Sequence, residues 1–141
     1  MQKKWDKRVA VSNTHNITSN NKSILALDDE FDIVTLIKLS LQKYGYRVSA
    51  FTDPFAALEY LNSSFRDCSI VISDIRMPGM SGYEFVKKVK QIKTEVKIIL
   101  MTAFEINDVE LSIFFTTTNI NAFIQKPFPI KQLEHIIEKH I

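Results

Sequence analysis

The sequence predicts an α/β fold in which one parallel five-stranded sheet is covered by helices on both faces. From Ile24 onward, short apolar runs alternate with longer segments whose apolar residues recur at helical spacing. The runs are almost continuous, which is typical of parallel strands buried on both faces. Polar, chemically reactive residues follow four of the five runs. Together these observations predict five βα units in a doubly wound sheet with strand order 2-1-3-4-5.

The 141-residue chain has the composition of one ordinary globular domain. Its 3 glycines and 4 prolines are too few for a collagen-like or disordered protein. No run of about 18 apolar residues occurs, so we expect no membrane insertion. A single cysteine cannot form an internal disulfide, and the basic N-terminus lacks the apolar stretch of a signal peptide. We therefore expect a cytoplasmic protein.

The net charge of +2 is divided unevenly along the chain. Residues 1–22 hold five bases and one acid, a charge of +4, whereas residues 23–141 hold 13 bases and 15 acids, a charge of −2. The first segment also contains a polar tract without a hydrophobic period. We predict a basic, polar and flexible extension at residues 1–22 and a globular domain at residues 23–141.

The first two βα units each combine a short apolar strand with an amphipathic helix. The first strand is predicted at residues 24–27 and its helix at residues 30–44. The second strand is predicted at residues 47–51, after which Asp53 and Pro54 supply a helix N-cap and a first-turn proline. The apolar residues at helical spacing predict the buried helix faces: Phe31, Val34, Ile37 and Leu41, then Phe55, Leu58, Leu61 and Phe65.

The third unit has a strand at residues 70–73 that ends in Asp74, followed by a loop with a proline and a glycine. Ser81 and Glu84 then match a capping box, in which each side chain accepts a hydrogen bond from the other residue's backbone N–H. This pattern predicts a third helix, with its buried stripe at Phe85, Val86, Val89 and Ile92.

The last two units are predicted from the same alternation. Their strands lie at residues 96–101 and 122–125, and the fourth helix lies at residue 105 to about 116. We expect the end of the fourth helix to fray, because the three threonines at residues 116–118 lose rotamer freedom in a helix. The apolar stripe of the fifth helix is Ile130, Leu133, Ile136 and Ile137.

Reactive side chains gather where the strands end. Asp28 and Asp29 follow the first strand, Asp74 the third, Thr102 the fourth and Lys126 the fifth. In open α/β sheets, ligands bind beyond the carboxyl ends of the strands, where the strand order reverses. Several carboxylates in one pocket stay ionised only with a cation among them. Oxygen ligands without histidine or thiol favour Mg²⁺.

Each of these residues also has an ordinary structural interpretation. Asp29 or its neighbours could cap the first helix, and Asp74 could begin a turn. Thr102 could bond locally and Lys126 could be a solvated lysine. These interpretations do not explain why all the residues fall at one end of one sheet, so the joint placement favours a functional site.

The sequence resembles the receiver domain of two-component response regulators, a flavodoxin-like fold, from about Lys22 to the C-terminus. The resemblance depends on four motifs in order: LALDDE at residues 25–30, SDIRMPGMSG at 73–82, MTA at 101–103 and KPF at 126–128.

By this resemblance, Asp74 accepts a phosphoryl group from a phosphohistidine on a sensor histidine kinase or a histidine phosphotransfer protein. The resemblance also implies that Asp28 and Asp29 hold Mg²⁺ together with Asp74 and the backbone carbonyl of Arg76. It implies no enzymatic activity beyond the domain's own phosphorylation and dephosphorylation.

The family assigns the remaining site residues to charge neutralisation and switching. Lys126 pairs with the phosphoryl oxygens, Thr102 hydrogen-bonds one of them, and the bond from Lys126 to Pro127 is expected to be cis. Movement of Thr102 would leave space for Phe123, at a position that is often tyrosine in the family. Phe123 keeps the packing but has no hydroxyl group to bond in the inward state.

Four further positions bear on the resemblance. Ser81 replaces a more usual acidic residue but can still cap the third helix. Asn119 stands near the place where a glycine commonly ends the fourth helix, and asparagine tolerates that left-handed conformation. Arg76 and Phe104 flank the site at positions that influence hydrolysis of the acyl phosphate in the family.

Because the sequence ends directly after the fifth helix, we expect a stand-alone receiver. Its output would be binding of a protein partner through the fourth helix, fifth strand and fifth helix, or transfer of the phosphoryl group in a relay. Homodimer formation on phosphorylation is a further option.

Three other functions are compatible with parts of the sequence. A phosphatase of the haloacid dehalogenase type uses the same groups but carries its nucleophile in an Asp-x-Asp motif, whereas residues 74–76 read Asp-Ile-Arg. A constitutive docking module would not need an intact set of site residues. The extension could also bind nucleic acid, with Trp5 stacking on bases. The sequence favours this hypothesis less than that of a solvated extension without a binding role.

Overall fold

The structure, a computed structural model, describes residues 22–63, 67–103, 107, 112–113 and 119–141. Five strands and four helices are assigned within these residues. The strands are β1 (Ser23–Leu27), β2 (Arg47–Phe51), β3 (Ile70–Asp74), β4 (Lys97–Thr102) and β5 (Ala122–Gln125). The helices are α1 (Phe31–Lys43), α2 (Pro54–Ser63), α3 (Gly82–Ile92) and α4 (Ile130–His140).

All five strands are parallel and form one sheet in the order β2-β1-β3-β4-β5. The predicted α/β fold and strand order are therefore confirmed. In register, Leu27 at the end of β1 pairs with Phe51 and with Ser73, and Asp74 pairs with Met101. The strands consequently end side by side, and the loops that follow them meet at one edge of the sheet.

The core has two halves, one on each face of the sheet. In β1, Ile24 and Ala26 belong to the half formed with α1 and α4, whereas Leu25 and Leu27 belong to the half formed with α2 and α3. All four side chains are almost completely buried. This alternation explains the continuous apolar runs, because successive side chains of a strand point to opposite faces and both faces are covered by helices.

The predicted helix faces are turned toward the core except at the first turns of α1 and α2, and four of their residues are only partly buried: Leu58, Ile92, Ile130 and Ile136. Phe31 is 69% exposed and Phe55 is 56% exposed, so the prediction that they are buried was wrong. Both lie beside the carboxyl edge of the sheet, and helical spacing alone does not indicate where the sheet beneath a helix ends. In α2, Ala57 and Leu61 are the residues buried in the hydrophobic core. Phe65 lies outside the described residues.

Several predicted helix ends are observed. The capping box of α3 is formed, with Ser81 Oγ accepting from the Glu84 N–H and Glu84 Oε1 accepting from the Ser81 N–H. At α2, Asp53 Oδ1 accepts from the Phe55 N–H at 3.2 Å, and Pro54 opens the helix. Asn119 has φ of 55°, the left-handed conformation expected there.

Two predictions differ from the structure or fall outside it. The fourth strand was predicted at residues 96–101, and β4 is displaced by one residue, because Val96 is buried below the strand without joining its ladder. Most of the helix predicted at residue 105 to about 116 lies outside the described residues. Among the described residues, no helix is long and apolar enough to cross a membrane.

We predict that Phe85→Ala lowers the free energy of unfolding by about 3–5 kcal/mol, the usual cost of emptying an aromatic core position. Phe85 is completely buried in the half-core formed with α2 and α3. The matched control, Phe31→Ala, removes an exposed ring and should stay within about 0.5 kcal/mol. Urea unfolding measures both values, and equal losses would contradict the burial described above.

Candidate functional site

Three carboxylates meet at the carboxyl edge of the sheet. Asp28 and Asp29 directly follow β1, and Asp74 is the last residue of the neighbouring strand β3. One carboxylate oxygen from each residue lies within 4.8 Å of the others. Because all the donors are hard, anionic oxygens, this set fits a hard divalent cation such as Mg²⁺.

Lys126 brings a positive charge to this cluster from the loop after β5. Its Nζ lies 2.6 Å from Asp28 Oδ2 and 3.4 Å from Asp74 Oδ1. Asp28 is completely buried, and its second oxygen, Oδ1, accepts a hydrogen bond of 2.9 Å from the Glu30 N–H. Both oxygens of Asp28 are therefore oriented by neighbouring donors.

The pKa values reflect burial and the short distances between these charges. Burial, and then the negative charge of Asp28, raise the pKa of Asp74, and Lys126 opposes this shift. Burial lowers the pKa of Lys126, but hydrogen bonding and attraction to Asp28 and Asp74 outweigh it and raise the pKa overall. The Lys126 ammonium group therefore stays charged, because its attraction to the Asp28 and Asp74 carboxylates offsets the loss of its hydration.

A cavity of about 260 Å³ opens above Asp74. Asp29, Thr102 and Lys126 also line it, so the structure brings together the residues that follow β1, β3, β4 and β5. Asp28 belongs to the carboxylate cluster but is completely buried and does not line the cavity. The cavity is large enough for a phosphoryl group, and its lining provides acceptors for a cation and an ammonium donor for an anion. The complete lining is Asp29, Glu30, Asp74, Ile75, Arg76, Thr102, Ala103 and Lys126.

Backbone hydrogen bonds fix the ends of β3, β4 and β5 relative to one another. The Lys126 N–H donates to the Thr102 carbonyl at 2.7 Å, and the Ile75 N–H donates to the Met101 carbonyl at 3.1 Å. The Lys126–Pro127 bond is cis, as expected. Thr102 is almost completely buried. Thr102 therefore lines the cavity at a position that the sheet fixes.

Phe123 lies in β5, where it is paired with Leu100 and is three residues from Lys126. It is partly buried and packs against the half-core formed with α2 and α3. The structure therefore places this aromatic ring on the strand next to the one that carries Thr102.

Two residues of the site were missed as functional positions by the sequence reasoning. Glu30 lines the cavity beside Asp29, and the signal was the third acid of the LALDDE motif. Gly82 lies against the strand that carries Asp74: a Cβ atom there would be 2.3 Å from the Asp74 carbonyl oxygen. Its N–H donates to the Ile75 carbonyl at 2.7 Å. The signal for Gly82 was a glycine directly after a helix N-cap, a position that does not otherwise need one.

The family follows from a match that spans most of the chain. Residues 24–138 match the family model described as the response regulator receiver domain. The chain belongs to the response regulator receiver family. Receiver domains are signalling modules of two-component systems and bind Mg²⁺ at an acidic pocket, and this receiver has a cluster of three carboxylates at the carboxyl edge of its sheet.

Two curated relatives illustrate the range of this family. The receiver is 36% identical to the response regulator SaeR of Staphylococcus epidermidis over 111 residues, which is 78% of this chain and 46% of SaeR. It is 28% identical to sporulation initiation phosphotransferase F of Bacillus subtilis over 123 residues, 86% of this chain and 94% of that protein. The receiver spans less than two thirds of the length of several of its relatives, SaeR among them.

Among solved structures, the receiver is similar to response regulator protein TrrA of Thermotoga maritima in complex with Mg²⁺-BeF. The TM-score is 0.74 with 32% identity, and the match covers 86% of this chain and 100% of TrrA. The similarity in fold therefore includes the whole of that structure.

We predict that Gly82→Ala destabilises the receiver more than Gly79→Ala does. A Cβ added at Gly82 would meet the rigid main chain of Asp74, whereas a Cβ added at Gly79 would meet only the Phe55 ring, at 3.4 Å. Gly79→Ala should cost about 1–2 kcal/mol because φ is +84°. Thermal unfolding of both variants measures the difference, and a smaller loss for Gly82→Ala would contradict the close approach.

We also predict that Asp74→Asn stabilises the receiver in a metal chelator. The pKa of Asp74 is raised in the folded state, so the folded protein binds this proton more tightly than the unfolded chain. The protonated form of Asp74 therefore adds stability at low pH. This stability is lost as the pH rises from below the pKa of Asp74 in the unfolded chain to above its pKa in the folded protein. The advantage of Asp74→Asn should grow over that range and then level off.

Urea unfolding at a series of pH values in chelator tests this expectation. Asp32→Asn, which changes an exposed aspartate in α1, serves as the matched control. An Asp74→Asn variant that is less stable than the native chain at neutral pH would contradict the electrostatic account.

Proposed function

We propose that this receiver accepts a phosphoryl group on Asp74 from a phosphohistidine of a sensor histidine kinase or a histidine phosphotransfer protein. The observation that carries the proposal is the position of Asp74: its carboxylate lines a cavity, next to two other carboxylates and 3.4 Å from the Lys126 ammonium. The cavity leaves space next to the Asp74 carboxylate for an incoming phosphoryl group. The Lys126 ammonium beside it can neutralise negative charge on the phosphoryl oxygens.

In the proposed reaction, an oxygen of Asp74 bonds to phosphorus, the phosphorus–nitrogen bond breaks, and the imidazole leaves. The product is an acyl phosphate. Phosphoryl transfer demands mainly positioning and neutralisation of charge on the phosphoryl oxygens. Lys126 supplies a positive charge, and Thr102, which lines the same cavity, would donate a hydrogen bond from its hydroxyl.

The same site would hold Mg²⁺ between Asp29, Asp74 and the backbone carbonyl of Arg76, with Asp28 beneath them. When bound, the ion adds positive charge next to the phosphoryl oxygens. Three carboxylates within 4.8 Å support this assignment, as does the Mg²⁺-BeF complex of TrrA. Asp28, which is buried and bonded to Lys126, would act through the orientation of its neighbours and through water.

The response would arise from the movement of Thr102 toward the phosphoryl group and repositioning of Phe123. Partner binding would then use the segment at residues 105–116, β5 and α4, or the phosphoryl group would pass onward in a relay. The relay is supported by similarity over 94% of sporulation initiation phosphotransferase F. A homodimer formed on phosphorylation is a further form that this response could take.

We further propose that the functional domain comprises residues 23–141, after a basic extension at residues 1–22, and that it works in the cytoplasm. Its only cysteine, Cys68, is reduced, and burial raises the pKa of the thiol to about 11, which suits a structural thiol. Its own phosphorylation and dephosphorylation would be its only catalysis, because residues 74–76 do not match the Asp-x-Asp motif of the phosphatase alternative.

A small-molecule phosphodonor tests the proposal without knowledge of the kinase. Incubation of the chain with acetyl phosphate and Mg²⁺ should add the mass of one phosphoryl group, detected by intact-protein mass spectrometry. The adduct should disappear in Asp74→Asn and in excess chelator. Lys126→Ala should reduce the initial rate of phosphorylation by at least about tenfold, since it removes the charge that faces the transferred group.

Asp32→Asn is the control, because it removes an exposed aspartate that lies outside the cavity. It should be phosphorylated like the native chain. A native chain that circular dichroism shows to be folded, but that gains no mass, would overturn the proposed function.

A further inference from the structure

A groove of about 700 Å³ lies between α2 and α3, on the face of the sheet away from α1 and α4. Its apolar part is formed by Phe55, Leu58 and Ile92. Phe55 is 56% exposed, and the other two side chains are partly exposed. An aromatic ring left in water beside further apolar surface is typical of a place where another group binds.

The groove carries a slight excess of negative charge. Asp53 and Glu59 stand on its α2 side, opposed by Lys88 on α3. Both acids are exposed, so they are accessible to a basic segment laid along the groove. An occupant with an aromatic side chain and several bases would match both the apolar floor and the acidic wall.

The groove leads to the point where the N-terminal extension joins the domain. A second cavity, of about 580 Å³, lies at the amino edge of the sheet and is lined by Lys22, the last residue of the extension. Ile92 lines both cavities, which makes them neighbours along the surface. The Lys22 carbonyl accepts a hydrogen bond of 3.1 Å from the Arg47 N–H, so the start of the path is fixed to β2.

The extension has the composition that the groove requires. Trp5 is the only tryptophan of the chain, and Lys3, Lys4, Lys7 and Arg8 surround it. From Lys22 back to Trp5 the chain can reach roughly 55 Å when extended. The ten residues of α2 span only about 15 Å. The extension is therefore long enough to reach any part of the groove.

We propose that the extension binds to its own domain in this groove, with Trp5 against Phe55 and its bases beside Asp53 and Glu59. The tether makes this binding intramolecular, so that even a weak aromatic contact is populated. Phe55 also adjoins Gly79, in the loop that follows Asp74. A segment bound in the groove would therefore contact a residue that adjoins the loop following Asp74. The proposal does not depend on the phosphorylation proposed above.

Trp5 fluorescence in the full chain tests the proposal directly, because no other tryptophan contributes. We expect an emission maximum at shorter wavelength, and weaker quenching by acrylamide, than in the same chain unfolded in urea. Phe55→Ala and Glu59→Lys should each move the emission of the folded chain toward that of the unfolded chain. High salt should do the same, since it screens the charge pairs.

Two matched controls separate the groove from general effects. Phe31→Ala removes an exposed phenylalanine from α1, and Glu138→Lys reverses an exposed acid on α4, both on the other face of the sheet. Neither should change the emission of Trp5. Circular dichroism shows that each variant is folded.

Four outcomes would overturn the proposal. The first is emission from the native chain that equals that of a solvated tryptophan. The second is a shielded Trp5 that does not respond to Phe55→Ala, because it would then be bound elsewhere. The third is a signal that falls on dilution, which would indicate binding between two copies. The fourth is a Trp5 that becomes shielded only when RNA or DNA is added.

Discussion

The rest of the site depends on the repulsion between carboxylates at the place where β1 and β3 end, and on the cation that offsets it. Two unit charges about 4 Å apart interact by roughly 4 kcal/mol near a protein surface. Without a neighbouring cation, this repulsion would be enough to push the carboxylate side chains apart. Lys126 lies within 3.4 Å of both Asp28 and Asp74. It follows β5, which β3 and β4 separate from β1 in the sheet. The charges are thus balanced only when the whole sheet has formed.

The fold and the site could be predicted from the sequence to the extent that they depend on periodicity. Continuous apolar runs indicated strands covered on both faces, and the parallel arrangement brought Asp74 and Lys126 to one edge. The Ser81 capping box was readable because it involves two side chains three residues apart. Each of these features is local, or follows from the alternation of strands and helices.

Other features depend on distances between segments, which a single sequence does not contain. Helical spacing placed Phe31 and Phe55 in the core, but both side chains are exposed beside the edge of the sheet. Gly82 is required by the main chain of Asp74, eight positions earlier, and no pattern of residue types indicates that contact. The groove beside Phe55 likewise became visible only when α2 and α3 were placed next to each other.

The hydrogen bond from the Lys126 N–H to the Thr102 carbonyl has a consequence for the speed of any response. Thr102 is held in a strand ladder, so its main chain cannot shift without breaking bonds to neighbouring strands. The degree of freedom that it retains is rotation about χ1, a step that takes picoseconds to nanoseconds where side chains are exposed. In this buried position, the packing around Thr102 would set the rate of the rotation, and neighbouring side chains could tune that rate without altering the chemistry of the carboxylates.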